Sequence, residues 1–311
     1  MTILTITANP AVDISTDVDR IVQGHKLRCA EERRDAGGGG INVARVLKRF
    51  AEPCIAVFPA GGPIGALLQG LIAAEGVPHE IVPIAGNTRE DVTIVERSTQ
   101  NEYRFVMPGP ALSSAEAELC MRVLESHLDG GDVVIASGSL PPGLPTGFYA
   151  SLARRSATRN AKFVLDTSGA ALSAALGSGI YLVKPSRREL CDLAGHDLPN
   201  ETACLALCRR LVAEGAAELV ALSMGGEGAL LVGRDFAIAA KAPRVLPVSS
   251  VGAGDSFLAA LVLSLARGKT ASDSLRAAVA AGSAALLSPG TGLCQVADVE
   301  RFTPQVEVRS L

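Results

Sequence analysis

The segment V-G-A-G-D-S-F, Val251 to Phe257, sets a carboxylate where an anion would bind. Gly252, Ala253 and Gly254 precede Asp255, and an apolar helical run follows from Phe257 to Ala266. Glycines let a backbone approach a ligand closely, and a helix N-terminus offers unpaired N–H groups with a partial positive charge. Together they make an anion hole. A carboxylate inside such a hole repels the anion unless it has a task there. The natural task is to take a proton from a nucleophile attacking that anion, which points to phosphoryl transfer to a hydroxyl group. The other reading of Asp255 is a helix N-cap. The segment alone leaves both open.

Other residues of chemical interest follow short apolar runs. Gly37 to Gly40 and Asn42 open a second helix, suiting an anion or a polyhydroxylated ligand against the backbone. Asp13, after Asn9 and Pro10, either hydrogen-bonds sugar hydroxyls or shapes a turn. Lys184 closes a strand-like run before Pro185, as a phosphate ligand or a solvated strand end. Ser186 and Glu189 have capping-box spacing. Ser223 to Gly228, S-M-G-G-E-G, is a glycine-rich turn able to wrap a nucleotide. Arg89 and Arg104 bring planar guanidinium forks suited to phosphate, or to surface ion pairs.

An alternation of strands and helices must position these residues. Ile3–Thr7, Ile55–Ala60, Asp132–Ser137, Lys162–Asp166, Tyr181–Lys184 and Leu219–Ser223 read as buried strands. Ile41–Phe50 and Pro63–Glu75 read as helices, and Ser113 with Glu116 caps another. This pattern predicts an α/β fold with a mostly parallel central sheet and helices on both faces. Ligands bind such sheets beyond the carboxyl ends of the strands. Val12–Glu32 and Val92–Met107 break the rhythm with polar–apolar alternation, predicting a small accessory sheet that serves as a lid or a dimer surface. No linker or internal repeat divides the chain, so one domain over 1–311 is expected, with lid segments at about 12–32 and 88–107.

Composition narrows the function classes. The 311 residues carry a formal net charge of -3 and only 4% aromatics, which argues against a nucleic-acid partner. Seven cysteines lack a regular framework, so reduced thiols and a cytoplasmic setting are expected. The N-terminus has no basic region of a signal peptide. Pro289, Gly290 and Gly292 interrupt the uncharged run Ala277–Ala297, which predicts a buried helix plus a loop rather than a membrane span. Neither a G-x-x-x-x-G-K-[ST] loop nor a G-x-G-x-x-G fingerprint follows the first strand, which disfavours a dinucleotide-dependent dehydrogenase.

Over nearly its full length the chain resembles the ribokinase-like (PfkB) sugar kinases. The match rests on T-A-N-P-A-V-D at Thr7–Asp13, G-G-G-G-I-N-V-A-R at Gly37–Arg45, S-G-S-L-P-P-G at Ser137–Gly143 and V-G-A-G-D-S at Val251–Ser256. H-K-L-R-C at His25–Cys29, F-P-A-G-G at Phe58–Gly62 and Y-R-F-V-M-P-G at Tyr103–Gly109 are similar to the minor type of 6-phosphofructokinase. The resemblance implies a three-layer Rossmann-like core, a small β lid that joins two subunits, and ATP with Mg²⁺ as cosubstrates. It implies Asp255 as general base, with Gly252 and the N–H groups of Ala253, Gly254 and Asp255 forming the anion hole. Asp13, Gly38, Gly39, Asn42 and Ser139 would hold the sugar, and Arg89 and Arg104 its phosphate. Lys184, Ser186, Ser223, Gly225, Gly228, Val279 and Ser283 would line the ATP site, with Lys26 reaching phosphates from the lid. Glu189 would hold Mg²⁺ through water. Ser249, Val251, Ala285, Ser288, Gly290 and Gly292 would surround a monovalent cation such as K⁺. Two departures stand out: Ser186 replaces the usual Asn of N-x-x-E, and Asp91 stands near a position where related phosphofructokinases tend to carry an amide. The implied activity is that of a 6-phosphofructokinase. Rivals are 1-phosphofructokinase, tagatose-6-phosphate kinase, and a catalytically silent sugar-phosphate or nucleotide sensor.

Overall fold

The structure is a computed structural model that describes residues 2–311. Its first strand, β1 (Ile3–Ile6), shows how the layers arise. Ile3 packs into one apolar cluster, while Leu4 and Ile6 pack into a second on the other face. In β8 (Val133–Ser137), Val133 and Ile135 join the first cluster, and Val134 and Ala136 the second. Successive side chains of a strand point to opposite faces, so a fully apolar strand feeds two cores at once.

Among the described residues the large sheet has ten strands in the order β14-β13-β12-β11-β10-β9-β8-β1-β4-β5. Its parallel part comprises β1, β4 (Cys54–Ala60), β5 (His79–Pro83), β8, β9 (Lys162–Asp166), β10 (Ile180–Val183) and β11 (Leu219–Ser223). Antiparallel β12 (Ala229–Val232), β13 (Ala237–Lys241) and β14 (Glu307–Ser310) extend one edge. Helices α1 (Gly39–Arg49), α2 (Gly62–Ala74), α8 (Ala253–Ala266), α9 (Ala271–Ala285) and α10 (Val296–Phe302) cover one face. The other carries α3 (Ser114–Ser126), α4 (Phe148–Thr158), α5 (Gly169–Ala175), α6 (Arg187–Ala194) and α7 (Glu201–Ala213). The predicted α/β layering is therefore the observed one. The end of α9, the loop after it and the first residues of α10 account for the uncharged run Ala277–Ala297, and no helix of the described residues is long and apolar enough to cross a membrane.

The accessory sheet is also present, in the order β3-β2-β6-β7. Its strands are β2 (Ala11–Val18), β3 (Arg33–Gly37), β6 (Arg89–Glu96) and β7 (Asn101–Phe105). The first predicted lid segment needs correction. Residues 19–32 hold no strand, and the second lid strand lies beyond that segment at Arg33–Gly37. Its sequence, R-R-D-A-G, has weak strand propensity. It is held by antiparallel pairing with β2 and by Asp35, which accepts two 2.8 Å bonds from Arg33. Cross-strand register aligns Asp13 with Asp35 and Asp91 on one face, and Ile14 with Arg34, Val92 and, through Val92, Phe105 on the other.

Candidate active site

The parallel strands end on a common edge, and the site is built there. β9 ends at Asp166, β10 runs into Lys184 and β11 ends at Ser223. Opposite them, the N-termini of α1 and α8 converge. The Nδ2 of Asn42 donates to Oδ2 of Asp255 at 2.9 Å across 213 positions of chain.

Asp255 is not the cap of α8. Gly252 occupies that position in the left-handed region, φ 75° and ψ 3°, and a Cβ there would strike the Leu293 side chain. Only glycine turns the chain so tightly under Leu293. The first helical rung is Ser256 N–H to the Gly252 carbonyl at 2.9 Å. The N–H groups of Gly254 and Asp255 precede it and point outward from the helix start. The Asp255 carboxyl is half-buried, and desolvation pushes its pKa up to about 6. The nearby Asp166 and Asp13 carboxylates push the same way, while the Asn42 amide and the Lys184 ammonium pull it down.

Lys184 is 5% exposed, so it is not a solvated strand end. Its Nζ lies 3.0 Å from Oδ1 of Asp166 and near the start of α8, 3.7 Å from where a Gly254 Cβ would sit. Burial works against the ammonium, but the carboxylates of Asp166, Glu189 and Asp255 together outweigh it and the pKa is raised. Asp166 also accepts from Ser137 Oγ at 3.3 Å. Sequence reasoning missed it. The available signal was its place at the carboxyl end of a correctly bounded strand. Glu189 takes the Ser186 N–H at 2.7 Å and its own N–H bonds Ser186 Oγ at 3.3 Å, a complete capping box at the start of α6.

On the lid side, Asp13 Oδ2 accepts from Thr291 Oγ1 at 2.7 Å, and burial raises its pKa. Gly38, at φ 113°, precedes α1, and a Cβ on Gly39 would overlap Ser137 Oγ, so this backbone lies tight against β8. Ser139 is exposed, 3.5 Å from Asn9 Nδ2. Arg89 is engaged within the lid: Nη1 lies 3.1 Å from Asp91 Oδ2 and 2.7 Å from the Met107 carbonyl, and Nη2 lies 3.0 Å from the Asn9 carbonyl. Its Nε is buried without a partner. Arg104 on β7 is exposed and makes no ion pair among the described residues. Lys26 is exposed in the lid loop.

The remaining expected residues have mixed surroundings. Ser223 ends β11, and the space beside Gly225 (φ 58°) is open. Gly228 has its own structural need, since a Cβ there would overlap the Ala240 carbonyl. Val279 and Ser283 are buried on α9. Ser249 Oγ accepts from Val251 N–H at 3.2 Å, and Ser288 Oγ donates to the Leu293 carbonyl at 2.8 Å. Ser288 N–H bonds the Ala285 carbonyl at 3.1 Å. The Gly292 carbonyl accepts from Arg49 Nη1 at 2.7 Å. Gly290 lies against the lid, where a Cβ would sit 2.8 Å from Ser15 Oγ.

The chain as a whole is similar to known proteins. ATP-dependent 6-phosphofructokinase isozyme 2 of Mycobacterium tuberculosis is 45% identical over 303 residues, 96% of this chain and 88% of that protein. The structure of phosphofructokinase-2 from Escherichia coli with substrates and products has a TM-score of 0.94 at 37% identity, covering 98% of this chain and 99% of that one. The same enzyme in complex with potassium has a TM-score of 0.93, also at 37% identity, covering 97% and 98%. A model of the pfkB family carbohydrate kinases matches residues 6–298. Residues 6–298 take in both converging helix starts and all four lid strands, and the chain belongs to the pfkB family of carbohydrate kinases.

Proposed function

We propose that the protein is an ATP-dependent phosphosugar kinase that phosphorylates the 1-hydroxyl of fructose 6-phosphate. The observation that carries this reading is the Asp255 carboxylate at the start of α8, oriented by Asn42 and with a pKa near 6. Such a group is mostly ionised at neutral pH yet still basic enough to accept a hydroxyl proton. In this mechanism Asp255 takes that proton as the sugar oxygen attacks the γ-phosphorus. The bond to the bridging oxygen breaks, and ADP leaves with the electron pair. The N–H groups of Ala253, Gly254 and Asp255 receive the negative charge of the transferring group. Lys184, kept cationic by Asp166, adds a positive charge beside it.

Asp13, Gly38, Gly39, Asn42 and Ser139 would bind sugar hydroxyls. Arg104, exposed and without an ion-pair partner among the described residues, and the Nε of Arg89, unpartnered among them, would take the 6-phosphate. Ser186, Ser223, Gly225, Gly228, Val279 and Ser283 would border ATP, with Lys26 closing from the lid. Glu189 would hold Mg²⁺ through water, with one carboxylate oxygen committed to the cap. When bound, Mg²⁺ neutralises charge on the phosphates. A potassium ion would be held by Val251, Ala285 and Gly290 with Ser249 and Ser288. Gly292 fits less well, since its carbonyl is held by the Arg49 guanidinium, a cation that would repel another.

The same reading makes 1–311 one kinase unit, cytoplasmic and dimeric through the lid. The outer lid face supports the last point. It aligns Ile14, Val92 and Phe105, and Phe105 is 49% exposed beside Val106 at 59% and Met107 at 45%. Turnover of ATP with fructose 6-phosphate, fructose 1-phosphate and tagatose 6-phosphate tests the reading. The highest kcat/KM is expected with fructose 6-phosphate. Preference for another sugar would reassign the substrate, and no turnover with any would leave a sensor.

A further inference from the structure

Arg45 is 2% exposed, and none of the catalytic roles above uses it. Its guanidinium touches four elements. Nε and Nη2 reach Glu75 Oε1 at 2.8 and 2.7 Å, beyond the end of α2. Nη1 is shared among the Ala36 carbonyl of β3 at 2.9 Å, Asn42 Oδ1 at 3.1 Å and the Thr291 carbonyl at 3.2 Å. Asn42 and Thr291 each lead to a carboxylate. Asn42 Nδ2 bonds Asp255 at 2.9 Å, and Thr291 Oγ1 bonds Asp13 at 2.7 Å.

The chemistry of the groups gives this arrangement a direction. A guanidinium only donates, so the Asn42 atom facing it must be the carbonyl oxygen. The amide donor is thereby turned toward Asp255. Without Arg45, the amide loses what fixes its orientation. Turned over, it would present an oxygen to the base carboxylate. On the other arm, anchoring the Thr291 carbonyl fixes the loop whose hydroxyl orients Asp13.

We infer that Arg45 is a positioning residue for phosphoryl transfer, setting the Asn42 amide toward the Asp255 base and the Thr291 hydroxyl toward the sugar-binding Asp13. It touches neither sugar nor ATP in this scheme. The inference rests on the reading of Asp255 as base and Asp13 as sugar ligand. The charged groups around Asp255 are Asp166 from β9, Lys184 after β10 and Asp13 from β2. Those around Asp13 are Asp91, Arg104 and Arg45 itself. Loss of the Asn42 donor is therefore expected to raise the pH at which the base becomes active, because only Lys184 would still oppose the acids.

The test is steady-state kinetics with fructose 6-phosphate and ATP from pH 5 to 9, beside melting curves, on the wild type and five variants. Arg45→Met and Arg45→Lys are expected to lower kcat by about 10- to 100-fold and move the acidic limb of the kcat profile upward by about half a unit or more, as for a lost charge-assisted bond to a base. Lysine has the charge but not the fork, so it is expected to rescue melting better than kcat. Thr291→Val is expected to raise the KM for fructose 6-phosphate by about 5-fold and leave the acidic limb in place. Glu75→Gln removes a charge from Arg45 without touching either arm. It is expected to lower the melting temperature and hold kcat within about twofold. The inference is overturned if folded Arg45→Lys keeps the wild-type limb and kcat, if Thr291→Val leaves the sugar KM unchanged, or if Glu75→Gln loses as much kcat as Arg45→Lys. Should Arg45→Met fail to fold, the lysine and valine variants still decide. Asp255→Asn with near-normal kcat would overturn the reading of the base itself, whatever Arg45 does.

Discussion

Asp255 meets two opposing demands in one carboxyl. As the proposed base it must ionise near neutrality, yet burial and two neighbouring acids resist ionisation. Replacing it with Asn keeps an acceptor for Asn42 and removes the proton sink. We expect Asp255→Asn to lower kcat by at least about 10²–10³ with little change in KM. In the wild type, kcat/KM should fall on acidification with a midpoint near pH 6, the value at which the carboxyl of the free protein protonates. The stability consequence has the opposite sign. The folded-state pKa lies above the ordinary 3.8, so the contribution of the protonated group is fully present below about pH 4 and lost as pH rises through about 6. Asp255→Asn should therefore melt higher than wild type at pH 8, by an equivalent of about 1–3 kcal/mol. Paired melting scans at pH 8 and pH 4 check this, and the gain should vanish at the lower pH. Arg89 poses a different question, since Asp91 already neutralises it. Arg104→Ala and Arg89→Ala are each expected to raise the phosphosugar KM about tenfold, with the KM for ATP little changed. Parallel titrations of the two substrates separate this from general disruption.

At the scale of elements, helix starts carry most of the chemistry. Gly252→Ala puts a Cβ into Leu293 at a left-handed residue. It should cost about 1–3 kcal/mol of stability and lower kcat by distorting the N–H array, which thermal melts and turnover read together. The α6 cap is a second case. Glu189→Gln is expected to lower stability by about 1 kcal/mol through the cap and to raise the free Mg²⁺ needed for half-maximal activity. Ser186→Asn should lower that requirement, and a Mg²⁺ titration unmoved in both variants would leave the pair with a capping role alone. The two capping boxes, at Ser113–Glu116 and Ser186–Glu189, were legible because cap chemistry is local in sequence. So were Lys162–Asp166 and Leu219–Ser223, whose continuous apolar runs define buried strands. Strand β3 was not legible. Its charged residues become strand-like only through Arg33–Asp35 and the pairing with β2. The alanine-rich β13 and the charged edge strand β14 escaped for the same reason: tertiary pairing overrides weak propensity. In the site, Asp255, Asn42 and Lys184 were marked by motifs. Asp166 was not, and Arg45 stood in the Gly37–Arg45 motif without a role, because the importance of both lies in partners far along the chain.

At the scale of the whole molecule, the lid has two unlike faces: aspartates toward the site and an apolar row outward. On the proposed dimer through the lid, Phe105→Glu is expected to shift the particle from dimer to monomer mass in light scattering and to raise the phosphosugar KM, because a lid without its partner would be held less firmly. An unchanged mass would remove the lid from the subunit interface. The chain also spreads its site across its length. Asn42 bonds Asp255 over 213 positions, and Asp13 bonds Thr291 over 278. Contacts so distant in sequence form late and slow folding. During synthesis, the lid strands and the first half of the central sheet leave the ribosome long before the base exists. On the proposed roles, an unfinished chain therefore offers Asp13 and its glycine turn without Asp255, the group proposed to activate a hydroxyl. Phosphoryl transfer begins only when nearly the last fifth of the polypeptide has emerged and closed back onto the first, so an interrupted chain is born inert rather than as an uncontrolled consumer of ATP.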